Sequence, residues 1–392
     1  MPSFCNLFQQ IVSIIPRGRF EQLARKHRSE YHARGFTSWQ QFIAMMFCHL
    51  ARAQSLREIE HGLRAAAGKL SHLGIDAAPP KSTLSYANAH RPWQLYESLF
   101  YELVELCRAT PGSRRFQFKN KLLSIDSTTV ELLSEMFEAV KYGKSKGAVK
   151  LHLMLDHDGM LPVFAVVDSN PLGDITVARR MAFPAGAIVV FDRGYIDYPW
   201  LQSLTQSNVF FVTRLKKNCH YELVEQRVPP RGVIRDDLVD VFDVRYVRRE
   251  GYIGLRLRRV EIADPDGGAN LVFFSNHLTL GATTIARIYK DRWQIELFFK
   301  ALKQNLKIKT FIGTSSNAIH IQLWTALIAM LLVRYLKLKS QCRASLSNLF
   351  AMLRFHLFSY RDLWVWLSEP FEPIRPEEQQ LILIQLGQQR RV

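Results

Sequence analysis

What most constrains this chain is a change of texture near Arg114. From there on, short β-rich runs appear at 121–126, 149–155, 161–167, 187–192 and 209–215. The first three read as an antiparallel meander. Helical pieces near 175–181 and 198–206 separate the later runs, as parallel strands require. Before the change, apolar residues recur at helical spacing in 39–50, 56–63 and 93–106, so residues up to about 110 read as helical.

Three antiparallel strands followed by alternating β and α is the strand plan of an RNase H-like core. The expected class is therefore α/β: an RNase H-like catalytic core with an inserted β-rich subdomain, preceded by an all-helical N-terminal domain. The insertion is 216–280, rich in Arg and marked by the turn signals Pro229-Pro230 and Asp266-Gly267-Gly268. Helical patterns resume through 282–306 and 318–336. The expected division is a helical, DNA-binding domain at 1–112, a core at 113–215 and 281–340, and a helical C-terminal segment at 341–392 suited to dimerisation.

Charge narrows the partners. The 392 residues include 52 basic and 35 acidic side chains, a net +17. A surface that basic points to a polyanion, of which nucleic acid is the usual one; the alternative is a basic protein that merely stays soluble. Cys5, Cys48, Cys107, Cys219 and Cys342 are far apart and form no CxxC pair. Neither a zinc site nor a disulfide framework is expected, and a reducing cytoplasm fits. No signal-peptide pattern is expected at the N-terminus. The apolar stretch 323–333, bounded by Gln322 and Arg334, is too short to span a bilayer and reads as a buried helix, so no membrane partner is expected.

Inside the helical region, Ser55 is placed to cap a helix through Leu56, Ile59 and Leu63. Ser82 is placed to cap a second, more polar helix over 83–90, ended by Arg91-Pro92. The pattern fits a helix-turn-helix unit that presents Ser82 and Arg91 to DNA, or an ordinary helical hairpin.

Three carboxylates stand out. Asp126 follows Leu122-Leu123-Ser124-Ile125, and Asp192 follows Ile188-Val189-Val190-Phe191, each at or near the end of an apolar strand. Glu296 sits in a helix that is apolar nearly all round, among Trp293, Ile295, Leu297, Phe298 and Phe299. A carboxylate in such company is costly unless paired or bound to a metal. Tyr289, Arg292, Glu296 and Lys303 follow at steps of three, four and seven, which keep side chains on one helical face. Either Glu296 pairs with Lys300 on a solvated face, or it faces the two Asp residues while the cations face phosphate. The apolar crowding favours the second.

The spacing Tyr289-x2-Arg292-x3-Glu296-x6-Lys303 resembles the YREK signature of a family of bacterial insertion-sequence transposases, the DDE class of insertion-sequence family four type. The surrounding run 289–300, Ile125-Asp126-Ser127-Thr128 and Phe191-Asp192-Arg193-Gly194-Tyr195 are similar to that family too, over most of 120–335. Stretches 32–36 and 55–63 resemble the helical N-terminal domain of one subgroup. The resemblance implies a transposase that binds the terminal inverted repeats of its insertion sequence, cleaves the ends and transfers them to target DNA by cut-and-paste through a hairpin. It implies two divalent metals, Mg2+ with Mn2+ able to substitute, held by Asp126, Asp192 and Glu296 as catalytic carboxylates. Double-stranded DNA is the implied partner, of a homodimer in the DNA complex, in a cytoplasmic, nucleoid-associated setting. Expected DNA contacts are Tyr289, Arg292, Lys303, Arg193, Lys144, Lys146, Ser82 and Arg91. One departure stands out. Relatives can use an aromatic residue of the insertion to hold a flipped base, and no Trp lies in 216–280; Tyr246, Tyr252 and Phe273 are the candidates.

The chemistry supports the same residues. Phosphodiester cleavage needs an activated water and a stabilised leaving oxygen, which two Mg2+ ions about 4 Å apart can supply. Such ions take hard oxygen ligands, with Asp126 bridging both and Asp192 and Glu296 holding one each. Arg292 and Lys303 would grip phosphates, and Tyr289 would donate a hydrogen bond or stack on a base. Asp168 is a rival, but it ends the outer third strand. Asp156 and Asp158 sit with Gly159 in a hairpin turn. Lys141, Lys144, Lys146 and Lys150, and Arg245, Arg248, Arg249, Arg256, Arg258 and Arg259, could track a DNA backbone or be solvated. His152 reads as structural. Two other functions remain in play: another RNase H-like nuclease such as a resolvase, and a catalytically inactive, transposase-derived regulator that only binds DNA.

Overall fold

The computed structural model describes residues 5–31, 33–110, 119–131, 148–168, 172–214, 219–242, 254–265, 267–306, 311–340 and 342–373. Helices come first: α1 (Leu7–Val12), α2 (Arg17–Lys26), α3 (Ser38–Ala51), α4 (Leu56–Ala65), α5 (Lys81–His90) and α6 (Gln94–Arg108). Their starts follow from capping chemistry. Thr37 and Gln40 exchange side-chain-to-backbone hydrogen bonds at the start of α3, a reciprocal box that satisfies two orphan amides. Ser55 caps α4 by accepting from the Glu58 amide, as expected. Ser82 does not cap α5. That helix starts at Lys81, whose amide donates to Glu60 Oε2 of α4 at 3.0 Å. A charged acceptor on the neighbouring helix does the work expected of the hydroxyl and leaves Ser82 exposed.

The sheet elements follow: β1 (Leu122–Glu131), β2 (Ala148–Asp156), β3 (Leu161–Asp168), α7 (Asp174–Ala178), β4 (Ile188–Val190), α8 (Tyr198–Gln206), β5 (Phe210–Thr213), β6 (His220–Arg227), β7 (Arg235–Phe242), β8 (Leu255–Ile262) and β9 (Leu271–Ser275). Among the described residues, nine strands join one sheet in the order β3-β2-β1-β4-β5-β9-β8-β7-β6. β2 and β3 are antiparallel, while β1–β4 and β4–β5 are parallel, so the first five strands form an RNase H-like sheet.

The inserted β-rich subdomain continues the sheet of the core. β9 pairs antiparallel with β5, so β6–β9 extend the same sheet. This covers β5, which would otherwise be an edge with unpaired backbone groups. Its Arg residues are also differently employed. In the β7–β8 register, Asp240 stands opposite Arg256 and Asp237 opposite Arg259. Arg256 holds Asp240 at 2.8 Å, Arg259 holds Asp237 at 3.1 Å, and Arg258 makes a two-pronged, buried pair with Asp236 at 2.7 and 2.5 Å. These three guanidiniums therefore hold strands together. Arg245, Arg248 and Arg249 lie outside the described residues.

The chain continues through α9 (Ala282–Asp291), α10 (Trp293–Asn305), α11 (Ser316–Lys339), α12 (Leu346–His356) and α13 (Leu363–Ser368). Two compact units result: 1–112 with 130–149 and 300–392, and 113–129 with 150–299. This grouping differs from the expected division chiefly at α11. That helix packs on α3, α5 and α6 of the helical unit. Trp324 lies against Phe100 and parallel to Trp93, and Thr325 meets buried His49 at 3.0 Å. By length and composition α11 could cross a membrane, yet 94% of its apolar window is buried, as a core helix requires. In the sheet unit, Leu122, Ile188, Val190, Val212 and Phe273 pack against Ala282, Ile285 and Ile288 of α9, whose spacing puts them on one face.

Candidate active site

Sheet register brings the two Asp residues together. Ser124 of β1 stands beside Val190 of β4, the last residue of that strand. Asp126 and Asp192 each lie two residues further on, and Asp192 keeps an extended backbone. Alternation then places both on the face that Ser124 and Val190 share, on chains about 4.8 Å apart. β1 itself continues past Asp126 to Glu131, so only β4 ends near its carboxylate. Asp192 Oδ1 accepts the Gly194 amide at 2.8 Å and caps a 3-10 turn at 193–195. A Cβ at position 194 would lie 3.0 Å from that oxygen, so a larger residue would crowd this contact.

Asp126 Oδ1 accepts the Ser127 amide at 2.8 Å, and Oδ2 lies 3.6 Å from Arg292 Nη1. Arg292 Nη2 lies 2.7 Å from Glu296 Oε1. Burial pushes the Asp126 carboxyl up to about 6; Asp192 and Glu296 add to the rise, and the Ser127 amide and Arg292 oppose it. Glu296 thus pairs with Arg292, one turn earlier, instead of Lys300. The Arg292 guanidinium also lies 5.6 and 5.8 Å from the ring centres of Tyr289 and Trp293.

The helix bearing these residues is not continuous. It breaks at Arg292, where the Arg292 amide bonds to Tyr289 O and the Ile295 amide to Arg292 O, both at 3.1 Å. Bonds three residues apart tighten the turn and separate α9 from α10. Tyr289 ends on α9, with its ring 5.0 Å from Phe273 in the core of the sheet unit. Tyr289 is half-buried there, and the two rings are tilted at 39° to each other. Phe273 is 2% exposed and is ruled out as a holder of a flipped base; Tyr246 and Tyr252 lie outside the described residues. Nor is α10 buried all round: Trp293 is 57% and Leu297 51% exposed. Trp293 is an exposed aromatic beside Arg292 that the sequence pattern had assigned to apolar crowding.

Arg193 is exposed next to Asp192, and Lys303 follows on α10, beyond the boundary between the units. Lys144 and Lys146, like Lys141, lie outside the described residues. Arg91 departs from expectation. Its guanidinium donates to the carbonyls of Phe36 and Thr37 and lies over the Phe36 ring. It is a latch between α5 and the start of α3 rather than a free DNA contact. The exposed side of α5 instead carries Lys81, Ser82, Ser85, Tyr86 and His90.

Among the described residues, no three His, Cys, Asp or Glu side chains are grouped closely enough to hold one ion. A guanidinium stands between Asp126 and Glu296 instead. The donor set still suits a hard divalent cation. Its oxygens are carboxylates, and two of the three, Asp126 and Glu296, already lie against a positive charge.

A family profile described as Transposase DDE domain matches residues 117–332, and a Domain of unknown function (DUF4372) matches 5–76. A Sinorhizobium fredii protein assigned as transposase y4zB is 34% identical over 263 residues, 66% of this chain and 71% of the relative. A Geobacillus stearothermophilus protein assigned as the transposase of insertion sequence element IS5377 is 28% identical over 317 residues, 78% of this chain and 83% of the relative. A solved synaptic complex of piggyBac transposase with hairpin DNA aligns at 12% identity and a TM-score of 0.43, covering 96% of this chain and 83% of that one; a likeness so distant carries no argument.

Proposed function

The chain belongs to the Transposase DDE domain family, and from that premise we propose that it is an insertion-sequence transposase of the YREK type that binds its element's terminal inverted repeats, cuts the ends and joins them to target DNA by cut-and-paste through a hairpin. The family makes it an enzyme that acts on DNA. The observation that carries the finer reading is the pairing of Arg292 with both Asp126 and Glu296, with Asp192 near enough to Asp126 to help raise its carboxyl.

DDE transposase domains use divalent metal ions; here Asp126, Asp192 and Glu296 would hold Mg2+, or Mn2+ in its place, and the ion supplies water activation and charge stabilisation. The protein's own residues supply position. Arg292, freed from the carboxylates, has the planar fork that grips phosphate. Arg193 offers a second cation beside Asp192, and Lys303 a third further along α10. Trp293 presents a ring on which a base can stack. The exposed side of α5 has the hydroxyl, amine and imidazole groups that read DNA edges and phosphates. A homodimer on DNA, in the cytoplasm and at the nucleoid, completes the reading.

The test is incubation with DNA carrying the inverted repeats that flank the gene, with Mg2+. Cut ends and strand-transfer products are expected. Cutting without strand transfer would identify a nuclease of the same fold, and binding without cutting would identify a regulator.

A further inference from the structure

Behind Asp126, on the other face of β1, is a charged network that no step above uses. Ser127 is the next residue, so its side chain points away from the Asp126 face. Its hydroxyl donates to Asp174 Oδ1 at 2.6 Å. Lys150 Nζ, from the adjacent strand β2, lies 2.8 Å from the same carboxylate. The fully buried ring of His152, two residues along β2, places Nδ1 3.5 Å from Asp174 Oδ1. Asp174 is the first residue of α7, yet it is not spent on that helix: Gly173 is the N-cap and no side chain caps it. Burial would raise the Asp174 carboxyl, and the hydrogen bonds from Lys150 and Ser127 outweigh it, leaving it below the usual range. It is an ionised acceptor, so its bond to Ser127 is charge-assisted and stronger than a neutral one.

We propose that Asp174 is a positioning residue for the active site: by anchoring the Ser127 side chain, it fixes the Ser127 peptide whose amide holds Asp126 Oδ1, and so aims Asp126 Oδ2 into the site. Strand β1 contributes Ser127, strand β2 Lys150 and His152, and helix α7 Asp174, so the direction of the carboxylate is set from three elements. Partners of this kind orient ligating groups, and their loss commonly weakens metal binding about 10- to 100-fold. The inference rests on the reading of Asp126 as an ion ligand.

The test is binding of Mn2+ alone to the full chain, followed by the electron paramagnetic resonance signal of free Mn2+. Asp174→Asn and Ser127→Ala should each weaken binding by about tenfold or more. The double variant should be little worse than either single one, because both act through the same bond. Ser127→Thr keeps the hydroxyl and should restore binding, although the added methyl disturbs packing more than Ala does. A purely structural network predicts lowered melting temperatures, unchanged Mn2+ affinity and no advantage of Thr over Ala; that result overturns the proposal. Asp126→Asn separates the two layers. If it leaves Mn2+ binding intact, the ligand reading itself fails. If it abolishes binding while Asp174→Asn and Ser127→Ala do not weaken it, only the positioning role fails.

Discussion

Asp126 is a carboxyl that its surroundings make hard to ionise. Burial is the largest cause, and the negative charges of Asp192 and Glu296 add to it. A carboxyl whose folded pKa is raised binds its proton more tightly in the folded state. Its stabilising contribution is therefore full below about pH 4 and is lost as the pH rises through about 6. Ion binding runs the other way, since it needs the carboxylate. Raising Mg2+ should therefore move the acid limb of the cleavage profile to lower pH. Rates measured across that limb at low and high Mg2+ check this, and a limb that stays fixed would show that proton and ion do not compete at Asp126. Arg292 carries a prediction of unusual sign. It is the cation already held by Asp126 and Glu296, so Arg292→Ala should tighten Mn2+ binding by DNA-free protein. The same change should weaken binding to cut ends and lower the salt slope by about one. A solvated Arg would leave ion affinity, DNA affinity and slope unchanged. Asp126 and Asp192 were readable in the sequence because each follows an apolar run. Asp174 was not, because nothing local marks a helical carboxylate whose partners, Ser127 and Lys150, come from two separate strands.

At the scale of elements, the periodic patterns located most strands and helices, while the joints between them followed other rules. The break at Arg292 involves no Gly or Pro and comes from two hydrogen bonds three residues apart. The start of α5 depends on Glu60 of α4, which no local capping rule contains. The insertion's Arg residues looked free because their partners, Asp236, Asp237 and Asp240, lie on the neighbouring strand. The buried Arg258–Asp236 pair gives a stability test. Asp236→Ala strands a buried guanidinium and should cost about 3–5 kcal/mol. Replacing both residues with Leu should cost much less, because no charge is left unpaired. Thermal melts of the two variants compare them; equal losses would show that packing rather than charge pairing holds β7 to β8.

For the whole molecule, the sequence suggested a helical domain ending near residue 112, and the compact unit reaches much further. α11 supplies the apolar surface against which α3, α5 and α6 pack. Helical spacing shows that α11 is buried but not which partners bury it, because that depends on contacts more than two hundred residues apart, such as His49–Thr325. A fragment of residues 1–110 should therefore lack sharp near-ultraviolet circular dichroism and bind a hydrophobic dye. A cooperative thermal transition in that fragment would show that it folds without α11. The central claim is that Asp126, Asp192 and Glu296 form one cleavage centre. The most direct measurement compares Asp126→Ala, Asp192→Ala and Glu296→Ala on DNA bearing the element's ends, with Mg2+ present. Each variant is predicted to bind the ends as the unaltered protein does and to leave them uncut. Normal cutting by any one of the three would contradict the account.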